Sequence, residues 1–83
     1  MNKRSFSILP LKQKLQWVYF EGTFVTSIRY YGYKIILYEV KGFYVEVFYE
    51  HKRGCIEKVE IMDQQNTRLN FYLDQVKLPQ ELF

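Results

Sequence analysis

Tyr33-Lys34-Ile35-Ile36-Leu37-Tyr38-Glu39-Val40-Lys41-Gly42-Phe43-Tyr44-Val45-Glu46-Val47-Phe48-Tyr49-Glu50 is the stretch on which the fold turns. Both halves are rich in β-branched and aromatic residues, and Lys41-Gly42 between them has the character of a tight turn. If that turn is a two-residue loop, Val40 pairs with Phe43, and successive side chains alternate between the two surfaces. One surface then collects Ile36, Tyr38, Val40, Phe43, Val45 and Val47. The other collects Tyr33, Ile35, Leu37, Tyr44 and Phe48 around Glu46. Apolar side chains therefore fall on both.

The same composition runs from Thr23 to Met62, with further turn signals at Tyr31-Gly32 and Lys52-Arg53-Gly54. These divide it into strands over 23–30, 33–40, 43–50 and 55–62. Loops this short join antiparallel neighbours, because a parallel crossover needs a dozen or so residues. Ahead of the strands, Leu11, Leu15, Val18 and Tyr19 are spaced for a helix over 10–21, with Pro10 in its first turn and Gly22 just past its end. Behind them, Leu69, Tyr72, Leu73 and Val76 predict a second amphipathic helix over 67–76, capped by Asn66 or Thr67 and stopped by Pro79. The expected fold is α+β: a four-stranded antiparallel β-meander, order α-β-β-β-β-α, with both helices packed on one face. A curled, barrel-like sheet plugged by the helices is the alternative. Residues 1–83 are expected to form a single domain, with 1–8 and 77–83 as loosely ordered tails.

Eighty-three residues can bury one core and not two, and seven Phe, eight Tyr and one Trp supply large apolar area for it. The net charge of +3 is unevenly placed: residues 1–34 hold six bases against one acid, and residues 35–83 hold six against eight. Cys55 is the only cysteine, which excludes an intrachain disulfide and a thiolate zinc cluster and suits a reducing cytoplasm. No run approaches the roughly 18 apolar residues of a membrane span. The apolar patch after Lys3 and Arg4 is broken by Pro10 and Lys12, so no signal-peptide core is expected.

Phe20-Glu21-Gly22-Thr23-Phe24, Leu37-Tyr38, Phe43-Tyr44-Val45-Glu46-Val47 and Ile56-Glu57-Lys58-Val59-Glu60 carry a resemblance. The chain is similar in these segments, over about residues 10–75, to a group of short uncharacterised bacterial proteins of about this length. That resemblance implies a stand-alone bacterial protein and assigns no residue a role.

Candidate chemistry is sparse. His51 and Cys55 lie at a turn without an evident orienting carboxylate, so a solvated turn is expected rather than a nucleophilic pair. Glu39, Glu46 and Glu50 on adjacent strands could form a carboxylate pair, but alternate strand positions facing water explain them more simply. Glu46 differs, because if buried it needs a partner such as Arg29, Lys34 or a tyrosine hydroxyl. Residues 41–48 resemble the RNA-recognition-motif octamer only superficially: Tyr44 stands for a small residue, Val45 for an aromatic one, and Glu46 would repel phosphate. A looser stacking surface of Tyr30, Tyr31 and Tyr33 beside Arg29 and Lys34 is the nucleic-acid alternative, with Lys12 and Lys14 as further phosphate contacts. No catalytic, cofactor-binding or metal residue is assigned. The leading expectation is a protein–protein interaction or self-association module. Its interface would be the sheet face left uncovered by the helices, made of Tyr33, Ile35, Leu37, Tyr44, Glu46 and Phe48. Nucleic-acid binding ranks second and a small enzyme third.

Overall fold

A computed structural model describes residues 2–62 and 68–75. Two helices, α1 (Lys3–Ser7) and α2 (Leu11–Glu21), precede the strands β1 (Gly22–Tyr30), β2 (Tyr33–Val40), β3 (Phe43–Glu50) and β4 (Cys55–Met62), and α3 (Leu69–Gln75) follows them. The strands form one antiparallel sheet in sequence order, so β1 and β4 are its edges. The α+β class, the open meander and the helix–sheet–helix order are as the sequence predicts, and the three later strands have the predicted bounds.

Val40 pairs with Phe43 across a two-residue turn in which Lys41 has φ 42° and Gly42 φ 94°. Positive φ at both central positions is the geometry that follows the twist of a hairpin, and it is why glycine stands there. Val25 is the extra residue of a bulge against β2, and Glu57 is one against β3. Gly22 serves a different need. Its backbone is extended at φ −86°, and a Cβ there would collide with the Val18 carbonyl oxygen, so close approach and not left-handed backbone requires it.

Both faces of the sheet are covered, which corrects the expectation that the helices share one. Phe6 of α1 and Val18 of α2 pack with Val40, Phe43, Val45, Val47 and Val59. On the opposite face, Tyr72 of α3 packs with Ile28, Ile35, Leu37, Phe48 and Met62. The cause is the alternation already present in β2 and β3: each face carries apolar side chains, and each needs its own cover.

The amino terminus also differs from a loose tail. Residues 3–7 form α1, capped by the Asn2 side chain, which accepts from the Ser5 N–H at 2.8 Å. Phe6 is fully buried, 5.6 Å from the Phe43 ring. The predicted tail 77–83 and the cap residues Asn66 and Thr67 lie outside the described residues, as does Val76.

Candidate functional site

Glu46 is the one charged residue buried among the described residues, with no exposed surface. Alternation in β3 aims it at the α3 face, and two side chains of the C-terminal segment meet it. Arg68 binds both carboxylate oxygens, Nε to Oε2 at 2.9 Å and Nη2 to Oε1 at 2.7 Å. The Tyr72 hydroxyl donates to Oε2 at 2.9 Å. This bidentate fork with an added hydroxyl gives a buried carboxylate strong, directional partners. The Glu46 hydrogen bond holds the Arg68 guanidinium above its ordinary value, while burial and then the Glu46 charge push the Tyr72 phenol upward. Arg68 also lies over the Phe48 ring at 5.0 Å and the Tyr30 ring at 5.7 Å. Its Nη2 is 3.8 Å from Glu60, which pairs with Glu46 in the β3–β4 register.

The carboxylate neighbours are thus Glu46 and Glu60, rather than Glu39, Glu46 and Glu50. Glu39 is exposed, and Glu50 accepts from the Arg53 Nε at 2.9 Å, which lowers its carboxyl. Of the partners foreseen for Glu46, the tyrosine hydroxyl is present, but the cation is Arg68 and not Arg29 or Lys34. Arg68 stands one helical turn before Tyr72, a spacing that lets two side chains reach one acceptor, and that was the available signal. Every buried side-chain polar atom among the described residues has a hydrogen-bond partner. No group of three or more His, Cys, Asp or Glu there is placed to hold a metal ion. A saturated ion pair of this kind is a means of seating α3 rather than a reactive centre.

The six residues of the expected interface do share one face. Ile35, Leu37, Glu46 and Phe48 are buried under α3, and Tyr33 and Tyr44 are half-buried at the margin. The tyrosines and cations of the nucleic-acid alternative are separated by the sheet. Tyr30 and Tyr33 point to the α3 side, where Tyr30 packs 4.8 Å from Phe71 and the Tyr33 hydroxyl donates to Glu57. Arg29 and Lys34, one position along each strand, point to the other side.

Among the exposed large apolar side chains, which also include Ile8, Leu11, Tyr31 and Leu73, three aromatic ones lie where α2 runs into β1. Phe20 is 85% exposed, Tyr19 61% and Phe24 59%. Phe24 meets the Tyr38 ring edge-on at 6.2 Å. Phe20 lines an open cleft of about 320 Å³ with Trp17, Gln13, Gln16 and Glu21. Of these residues the helical spacing singled out only Tyr19, as part of the apolar stripe of α2, and gave no sign that Phe20 and Phe24 would be surface, because an exposed side of an aromatic-rich segment has the same composition as its buried side.

At the outer edge of β1, the Gln75 side chain bonds the Arg29 backbone twice. The Arg29 N–H donates to Gln75 Oε1, and Gln75 Nε2 donates to the Arg29 carbonyl, both at 2.8 Å. No helix of the described residues is long and apolar enough to cross a membrane. No known protein family, curated protein or solved structure matches this chain.

Proposed function

We propose that the chain is a self-association module, docking a second copy of itself through the aromatic surface at the α2–β1 junction. The exposure of Phe20, Tyr19 and Phe24 within a few residues of one another carries this reading. Large aromatic side chains are costly to leave in water, and a cluster of them on a small protein is characteristic of an interaction surface. Phe20 beside the Trp17 cleft offers both a projecting ring and a hollow to receive one. A two-fold interface needs such self-complementarity. The rim is self-complementary too: Glu21 and Lys41, 3.2 Å apart, place both signs of charge next to the patch. The Glu46 face supports the role less well, because Tyr72 already fills it.

Light scattering at two protein concentrations tests the proposal. The expected result is a mass rising toward twice that of the chain at the higher concentration. Phe20→Ser with Phe24→Ser should hold the mass at one chain without lowering the melting temperature, since both side chains are exposed. A single-chain mass for the unmodified protein at both concentrations would defeat the proposal.

A further inference from the structure

A second open cavity, of about 350 Å³, lies at the end of β1 and β2 remote from the Lys41-Gly42 turn. It is lined by Ser27, Ile28, Arg29, Lys34, His51 and Gln75. Arg29 and Lys34 are direct partners in the β1–β2 register, so their side chains rise side by side from one face. Like charges placed directly opposite on neighbouring strands destabilise a sheet. Elsewhere on the sheet and its loops, Lys41, Arg53 and Lys58 each meet a glutamate. Arg29 and Lys34 meet no carboxylate among the described residues. The cavity is therefore lined by two cations to which no carboxylate of the described residues is paired.

Other polar residues line the same cavity. The His51 backbone N–H donates to the Gly32 carbonyl at 3.2 Å, tying the β3–β4 loop to the β1–β2 turn, and its ring packs 5.6 Å from Tyr49. His51 is thereby held at the cavity that Lys34 also lines. The Ser27 hydroxyl adds a neutral donor two residues before Arg29, on the same face. Gln75 clamps the Arg29 backbone from the edge, so the strand that carries the guanidinium is held at this point. The residues that line this open hollow thus offer a guanidinium, an ammonium, an imidazole and a hydroxyl, a set of donors suited to the several oxygens of one tetrahedral anion.

We propose that this cavity binds the phosphate group of a phosphorylated ligand. Arg29 and Lys34 supply the charge, and Ser27 and His51 supply the directional hydrogen bonds. The site lies apart from the aromatic surface and does not depend on self-association.

Inorganic phosphate, pyrophosphate and a single-stranded oligothymidylate, each titrated into the full chain at low salt with amide NMR shifts as the readout, test the proposal. Saturable shifts should centre on Ser27, Arg29, Lys34 and His51. Arg29→Gln and Lys34→Gln should each weaken binding about tenfold, the worth of one charge-assisted hydrogen bond. Both side chains are exposed, so shifts elsewhere should stay as in the unmodified protein and show an intact fold. Saturation by the oligonucleotide at far lower concentration than by pyrophosphate places the phosphate in a nucleic-acid strand. Saturation by pyrophosphate as readily, or more so, places it in a small phosphorylated molecule. No saturable shift with any of the three, or equal affinity in the Arg29→Gln, Lys34→Gln double variant, overturns the proposal.

Discussion

The two faces of the sheet hold their helices by opposite means. On one, α1 and α2 are attached by Phe6 and Val18 set among valines and Phe43, an all-apolar contact that depends on filled volume. On the other, α3 brings Tyr72 to an apolar bed but is oriented by Arg68 and Tyr72 on the Glu46 carboxylate. Apolar packing tolerates small shifts of a helix along its partner. A two-pronged bond to a buried charge does not, because each small displacement exposes an unsatisfied ion to low dielectric. The first face gains its stability from area, whereas the second spends part of its stability on fixing where one short helix sits.

Removing one partner of the buried pair should have the largest effect. Arg68→Met leaves Glu46 buried and uncompensated, and chemical denaturation should show a loss of about 3–5 kcal/mol. Adding Glu46→Leu should return stability to within about 1 kcal/mol of the unmodified protein, since an apolar replacement of a buried pair is often neutral. A double variant as unstable as Arg68→Met alone would erase the distinction between the faces. On the apolar face, Phe6→Ala should cost about 3 kcal/mol, at the lower end for such truncations because the five-residue α1 can resettle. There no second polar change offers a rescue.

The smallest effect, Tyr72→Phe, should cost about 1.5 kcal/mol near neutral pH through one lost hydrogen bond to a charged acceptor. It also has a signature in pH. The Tyr72 phenol is raised by burial and by Glu46, so its contribution is complete below the ordinary tyrosine value of about 10. Above that pH the unfolded chain gives up its proton while the folded one keeps it, and stability falls. Denaturation midpoints followed from neutral to strongly alkaline pH should fall less steeply for Tyr72→Phe than for the unmodified protein.

The strands were legible because turns of glycine type divide a β-branched and aromatic run at regular spacing, and the Lys41-Gly42 loop set the β2–β3 register correctly. The sequence likewise showed that Glu46 would demand a partner if buried. It did not show how the helices divide. Two apolar faces read equally as one core with an open interface or as two cores, and only tertiary packing separates these. The face of α3 was foreseen only in part, for a related reason. Tyr72 of the predicted stripe is buried, yet Leu73 is 59% exposed, and Arg68, Phe71 and Gln75, outside that stripe, make contacts as well. Hydrophobic periodicity ranks residues by transfer from water, whereas a buried carboxylate selects the helix face that can answer it. The cross-strand pair of Arg29 and Lys34 was visible as two cations near a turn, but its separation from the described glutamates depends on the placement of the other side chains.

The Gln75 bond to Arg29 bears on what the sheet can become. An open meander ends in strands whose outward N–H and C=O groups could accept a further strand, and a chain of identical molecules could continue that addition without limit. At Arg29 the outward donor and acceptor are already taken by an amide with the same pair of groups as a peptide bond. A peptide amide would carry a backbone onward to the next hydrogen bond. The Gln75 amide ends in a side chain, so at Arg29 the ladder has no onward step.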